Sequence, residues 1–273
     1  MATKKPTTAV VKWADELAKQ AVVAAAVEES TSTGAFFSLK SGILSFGGNP
    51  VPNNEMAIVV VDSILENVFY GSEYDPDNIE SPICFAFGRD EKTIEPHKIV
   101  VEAENSEAGA SGQCAGCPNN EWGSADRGRG KACANKRRVA MIPAGTIEGG
   151  KFKAFTKPEQ FETSAIAFMK LPVTSVKGYA TYVKQIAAGL KRPPHGIFTK
   201  VSVRPDPQSQ FKVVFEPLAE VPDELMGAVM ARREEAVATI ETPYSVPSDE
   251  PKAAPAGRGA KAPKAAAKGK ARY

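Results

Sequence analysis

Apolar and polar residues alternate in several rhythms along this chain, and the rhythm changes mark its elements. Residues 10–29 repeat apolar positions at helical spacing, with Trp13, Leu17 and Val22 or Val23 near one side, and end in the polar run Ser30–Thr33. This predicts an amphipathic arm, bounded as residues 1–34. The next signals have the rhythm of strands: residues 36–39, residues 43–46 and, after a Gly47-Gly48-Asn49-Pro50 turn, the long apolar run 56–70. That run is too long for one flat strand, so a bent one is expected. Shorter strand patterns follow around Cys84 and at residues 137–143. Residues 176–190 return to helical spacing through Tyr179, Tyr182, Val183 and Ile186. Residues 197–203 and 211–215 flank a turn-forming stretch, Pro205–Gln210, and read as a hairpin. A charged helix is expected over residues 222–240.

Short strands, one helix among them and a long polar excursion between strands predict a β-rich α+β fold. Its form is expected to be a partly open β-barrel of oligonucleotide-binding (OB) type, spanning residues 35–245. No apolar run approaches a membrane span, and the first residues lack a signal-peptide stretch, so a soluble cytoplasmic protein is expected. Charge changes the picture at the C-terminus. The formal net charge is +2, yet residues 252–272 carry seven Lys or Arg and no acid, which leaves −5 on the rest. Residues 246–273 are rich in Ala, Pro, Gly and Lys, a composition that buries too little apolar area to offset ordering and reads as a disordered, polyanion-binding tail.

Candidate chemistry concentrates in residues 84–138. Three of the four cysteines lie in Cys114-Ala-Gly-Cys117-Pro118 and at Cys133, within a Gly-rich polar segment that has too little apolar surface to fold unaided. A Cys-x-x-Cys turn presents two thiolates to one ion, and a distant pair closes a tetrahedron, so a structural Zn²⁺ is expected. Cys84 is the preferred fourth ligand, because it uses the last thiol and stands on a strand end; His97 in the turn Glu95–Lys98 is the alternative. An iron–sulfur cluster is the rival occupant. A redox Cys-x-x-Cys would open a helix, and no helical pattern follows Cys117.

The same segment is basic. Arg127, Arg129, Lys131, Lys136, Arg137 and Arg138 fall within a dozen residues, the first three interleaved with Gly128 and Gly130, with Trp122 close by as a stacking platform. Charge for phosphate and a π-face for any base are what unpaired nucleic-acid strands require. Gly128-Arg129-Gly130-Lys131 is not a P-loop, since the spacing is wrong and Ala132 follows the lysine. Two histidines and no evident nucleophile–base pair predict a protein that is not an enzyme.

Cys114-x-x-Cys117-Pro118-x-Asn120-x-Trp122-Gly123-Ser124, Gly128-x-Gly130-Lys131-Ala132-Cys133, Arg137-Arg138 and the upstream Pro82-x-Cys84 together resemble a family of bacteriophage proteins regarded as single-stranded-DNA-binding proteins. The plan is also similar to the helix-destabilising proteins of T-even phages, whose barrel carries a zinc subdomain. The resemblance spans residues 36–235 and is specific around the cysteine loop. It implies that the matching cysteines hold the metal, that single-stranded DNA is the partner in replication or recombination, and that other phage replication proteins are further partners. Where many such proteins end in an acidic, partner-recruiting tail, this chain ends in a basic one. The rival functional expectations are a zinc-ribbon transcription or replication accessory factor docking on a polymerase, and an iron–sulfur or metal-dependent nuclease component.

Overall fold

The computed structural model describes residues 36–72, 80–102, 112–126 and 128–244. The expected N-terminal arm, the basic tail and Arg127 lie outside the described residues. The fold is β-rich α+β, and its main sheet curls strongly into a half-barrel.

The sheet is organised around one long strand. In chain order the elements are β1 (Phe36–Ser38), β2 (Ser45–Phe46), β3 (Asn49–Pro50), β4 (Glu55–Phe69), β5 (Cys84–Gly88), α1 (Lys98–Glu102), β6 (Ala134–Pro143), β7 (Gly145–Glu148), β8 (Lys151–Ala154), α2 (Pro158–Glu162), β9 (Ala167–Leu171), α3 (Val173–Gly189), β10 (Ile197–Asp206), β11 (Gln210–Glu220) and α4 (Asp223–Thr239). Strands run in the order β11-β10-β4-β6-β9-β1-β2-β3, with β5 added to β4; all pairings are antiparallel except β1 with β9. The hairpin β7–β8 forms a separate small sheet.

The 15-residue β4 is the bent strand that its pattern predicts. One edge pairs with β6 over most of its length, and the other pairs with β10 at residues 55–59 and with β5 at residues 65–69. Its register against β6 jumps between Val60 and Asp62, so Val61 is a bulge, a device that increases twist and bends a strand. The bulge also exchanges the faces. Ala57, Val59 and Val61 before it, and Ile64 after it, join the core beneath α2, α4 and the β7–β8 hairpin; Ile58 and Val60 join the other core, filled by α3. The middle of the sheet is therefore buried on both sides. On α3 the buried residues Ser175, Tyr179, Tyr182 and Ile186 recur at helical spacing, as the periodicity predicts.

The polar excursion does not join hydrogen-bonded neighbours: β5 and β6 lie on opposite edges of β4, and the segment between them crosses from one edge to the other. Among the described residues no helix is long and apolar enough to cross a membrane.

Candidate metal centre and nucleic-acid interface

The crossing of β4 brings the cysteines together. Cys84 opens β5 opposite Phe69, and Cys133 immediately precedes β6, whose Ala134 is opposite Val68, so the two thiols flank the same end of β4. Cys114 is tethered by its N–H to the Ile94 carbonyl at 3.2 Å. Gly116 takes φ +76°, the left-handed backbone that lets the chain turn back to Cys117. A single 3-10 turn follows, Pro118–Asn120, and Asn120 donates from its side-chain amide to the Cys114 carbonyl at 2.8 Å. The Cys133 N–H donates to the Asn119 carbonyl at 2.7 Å. All four cysteines line one cavity of about 20 Å³, closed by Asn67, Phe69 and Ala86 and with room for one atom-sized guest.

Those four side chains are free thiols. Among the described residues no group of three or more His, Cys, Asp or Glu side chains is set at metal-ligating geometry. Burial, reinforced by the neighbouring cysteines, pushes the Cys84 thiol up to about 11 and the Cys133 thiol up to about 12. Burial likewise raises Cys114, against a hydrogen bond from Asn67 that favours its thiolate. The donor set fits a four-coordinate soft cation: four sulfurs around one cavity and no position left for substrate.

His97 is elsewhere. It does not line the cavity; its ring stacks on Phe85 at 5.1 Å, its backbone N–H donates to the Phe85 carbonyl at 2.9 Å, and its ring Nδ1 accepts from the Ile99 backbone N–H at 3.3 Å. Burial lowers its pKa.

Polar bonds rather than packing hold the rest of the loop. Gly123 and Ala125 N–H groups both reach the Gly130 carbonyl, and the Ser124 hydroxyl bridges the Asn119 and Glu121 carbonyls to Ala132 N–H. On its outside Trp122 is 80% exposed and Arg129 is exposed. Lys131 reaches over the indole at 5.8 Å while donating to Asn120 Oδ1 at 3.2 Å. Lys136 lies over the exposed Tyr70 ring at 5.8 Å.

Arg129, Lys131, Arg137 and Arg138 do not share one surface. Adjacent residues of a strand point to opposite faces, so Arg137 and Arg138 part company. Arg137 packs over Tyr179 of α3 at 5.8 Å. Arg138 is 1% exposed, paired by two hydrogen bonds with the fully buried Glu66, and donates to the carbonyls of Ile240 and Thr242 at 2.8 and 2.7 Å. The Tyr244 hydroxyl also donates to Glu66. Arg138 is thus an internal brace that pins the segment after α4 across the sheet, and it is unavailable to phosphate. Sequence reasoning missed Lys170, whose ammonium lies 4.9 Å from the Phe36 ring and 4.0 Å from the Tyr244 ring. No local motif marks it; only the register of Arg138 with Lys170 brings β9 into this network.

Compared with protein-family models, with curated proteins and with solved structures, the chain matches none.

Proposed function

We propose that this is a single-stranded-DNA-binding protein that coats unpaired strands in phage replication or recombination, with an OB-like barrel and a loop closed by one structural Zn²⁺. The observation that carries the reading is the pairing of inside and outside in one loop. Four cysteines line a single cavity beneath it, and an exposed Trp122 with Arg129 and Lys131 stands above. A metal there would fold a segment that has almost no core of its own, and its outer face offers the cation and π-surface that unpaired strands bind without regard to sequence. The curled half-barrel is compatible with an OB-like barrel. The resemblance around the cysteines points the same way.

Cys84, Cys114, Cys117 and Cys133 would hold the ion, which supplies cross-linking and no catalysis. The test is a fluorescence titration with single- and double-stranded oligonucleotides over a salt series, with metal analysis of the same sample. Preference for single strands with an affinity that falls as salt rises supports the reading. In Arg129→Glu/Lys131→Glu, with zinc content unchanged, affinity should drop about tenfold for any sequence. Wild-type protein that binds no oligonucleotide but docks on a polymerase would establish the accessory-factor reading instead.

A further inference from the structure

The face of the sheet opposite the cysteine cavity carries a cleft that the loop does not explain. It has a volume of about 520 Å³ and runs between β1, β9 and the segment Thr242–Tyr244. Its centre is Lys170, half-buried, with Phe36 on one side and Tyr244 on the other. Among the described residues this lysine has no ion-pair partner, because the nearest carboxylate, Glu66, is committed to Arg138 and Tyr244. A half-buried cation between two aromatic rings, near the cations Arg138 and Lys136 and with its neighbouring carboxylate Glu66 already paired, is a site short of an anion.

The cleft also connects to the loop. Lys136 shares the Arg138 face of β6 and lies over Tyr70, and Tyr70 lines the hollow that contains Lys131. Cations and aromatics therefore alternate from the loop, through Tyr70 and Lys136, to Tyr244, Lys170 and Phe36. A polyanion whose charges are separated by stackable rings matches that alternation, and a folded protein surface does not.

We propose that the Phe36–Lys170–Tyr244 cleft is a second binding site for the same single-stranded nucleic acid, taking a phosphodiester on Lys170 and a base on the Phe36 or Tyr244 ring, and continuous with the loop surface. This rests on the single-strand-binding reading above.

The test uses the full chain and a fluorescein-labelled oligodeoxythymidylate of about 20 nucleotides, long enough to span both surfaces, since comparable single-strand sites cover roughly 4–16 nucleotides. Lys170→Gln is expected to weaken binding about tenfold and to lower the dependence on salt by about one counterion, with zinc content and melting temperature unchanged. Lys170→Arg restores affinity if the role is charge. Burial lowers the Lys170 pKa to about 8, against the attraction of Glu66 and with the repulsion of Arg138 and Lys136; Tyr244 and Phe36 are the other groups that face it. Wild-type affinity should then fall as pH rises from 7 to 9, while that of Lys170→Arg does not. Phe36→Leu, a milder change at the rim, gives an independent loss of a few fold. Photocrosslinking of a halogenated-deoxyuridine oligonucleotide to Phe36 or Tyr244 reads the site without any variant. Wild-type affinity in both Lys170→Gln and Phe36→Leu, with crosslinks confined to Trp122 and Tyr70, overturns the cleft and leaves the loop reading standing. Failure of the wild-type chain to bind the oligonucleotide at all sinks the single-strand reading itself.

Discussion

Replacing Arg138 by methionine keeps an unbranched, bulky side chain in place and removes four hydrogen bonds at once: two to Glu66 and one each to the carbonyls of Ile240 and Thr242. Glu66, 0% exposed, then keeps, among the described residues, only the Tyr244 hydroxyl as a side-chain hydrogen-bond partner. Breaking one side of a buried ion pair costs about 3–5 kcal/mol, because the surviving charge stays desolvated. A domain of this size loses roughly 2–4 °C of melting temperature per kcal/mol, so Arg138→Met should melt at least about 6 °C below wild type. Glu66→Leu/Arg138→Met removes both charges and should regain most of that, to within about 1 kcal/mol of wild type. Urea unfolding followed by circular dichroism gives both numbers, and limited proteolysis near Tyr244 reports release of the pinned segment. An Arg138→Met variant within about 1 kcal/mol of wild type, or a double variant no better than the single one, refutes the brace.

Three further outcomes are expected. Purified protein should carry about one zinc per chain, and Cys117→Ser should lose it and unfold at lower temperature; metal retained in Cys84→Ser but lost in His97→Ala would move the fourth ligand to His97. Deleting residues 252–273 should leave unfolding unchanged and weaken oligonucleotide binding mainly at low salt, since a polycation acts through counterion release; an unaltered salt slope assigns the tail another role. Burial works to raise the Glu66 pKa, but the bonds and charge of Arg138, with help from Tyr244 and Lys170, hold it below its ordinary value of 4.5. A depressed carboxyl stabilises the fold above that value and loses the contribution as pH falls through the folded pKa. The stability of wild type relative to Glu66→Leu/Arg138→Met should therefore fall as pH drops below about 4.5, and a difference independent of pH would contradict the pairing.

What could be read from the sequence was what repeats locally. The β4 run, α3, the β10–β11 hairpin and α4 are long enough for their periods to fix type and place within a few residues. β3, the β7–β8 hairpin, α2 and β9 are short pieces whose form depends on what they pack against. The cysteine set was legible because its spacing is chemical and local at three of four positions. The basic cluster misled, since counting Arg137 and Arg138 as one patch ignores the alternation of a strand. Lys170 and Tyr244 left no signal: they join Glu66 and Arg138 only through the order of strands and the return of the chain after α4.

The Val61 bulge works as a phase shifter. Beyond it the even-numbered residues of β4 turn to the Glu66–Arg138 side and the odd-numbered Asn67 and Phe69 turn to the cysteine cavity. Deleting that one residue would exchange these two faces, sending a carboxylate toward the thiols and an amide toward the guanidinium, without altering a single residue in either cluster. A change of length within β4 is thus not tolerable, because one residue there keeps two chemistries in register.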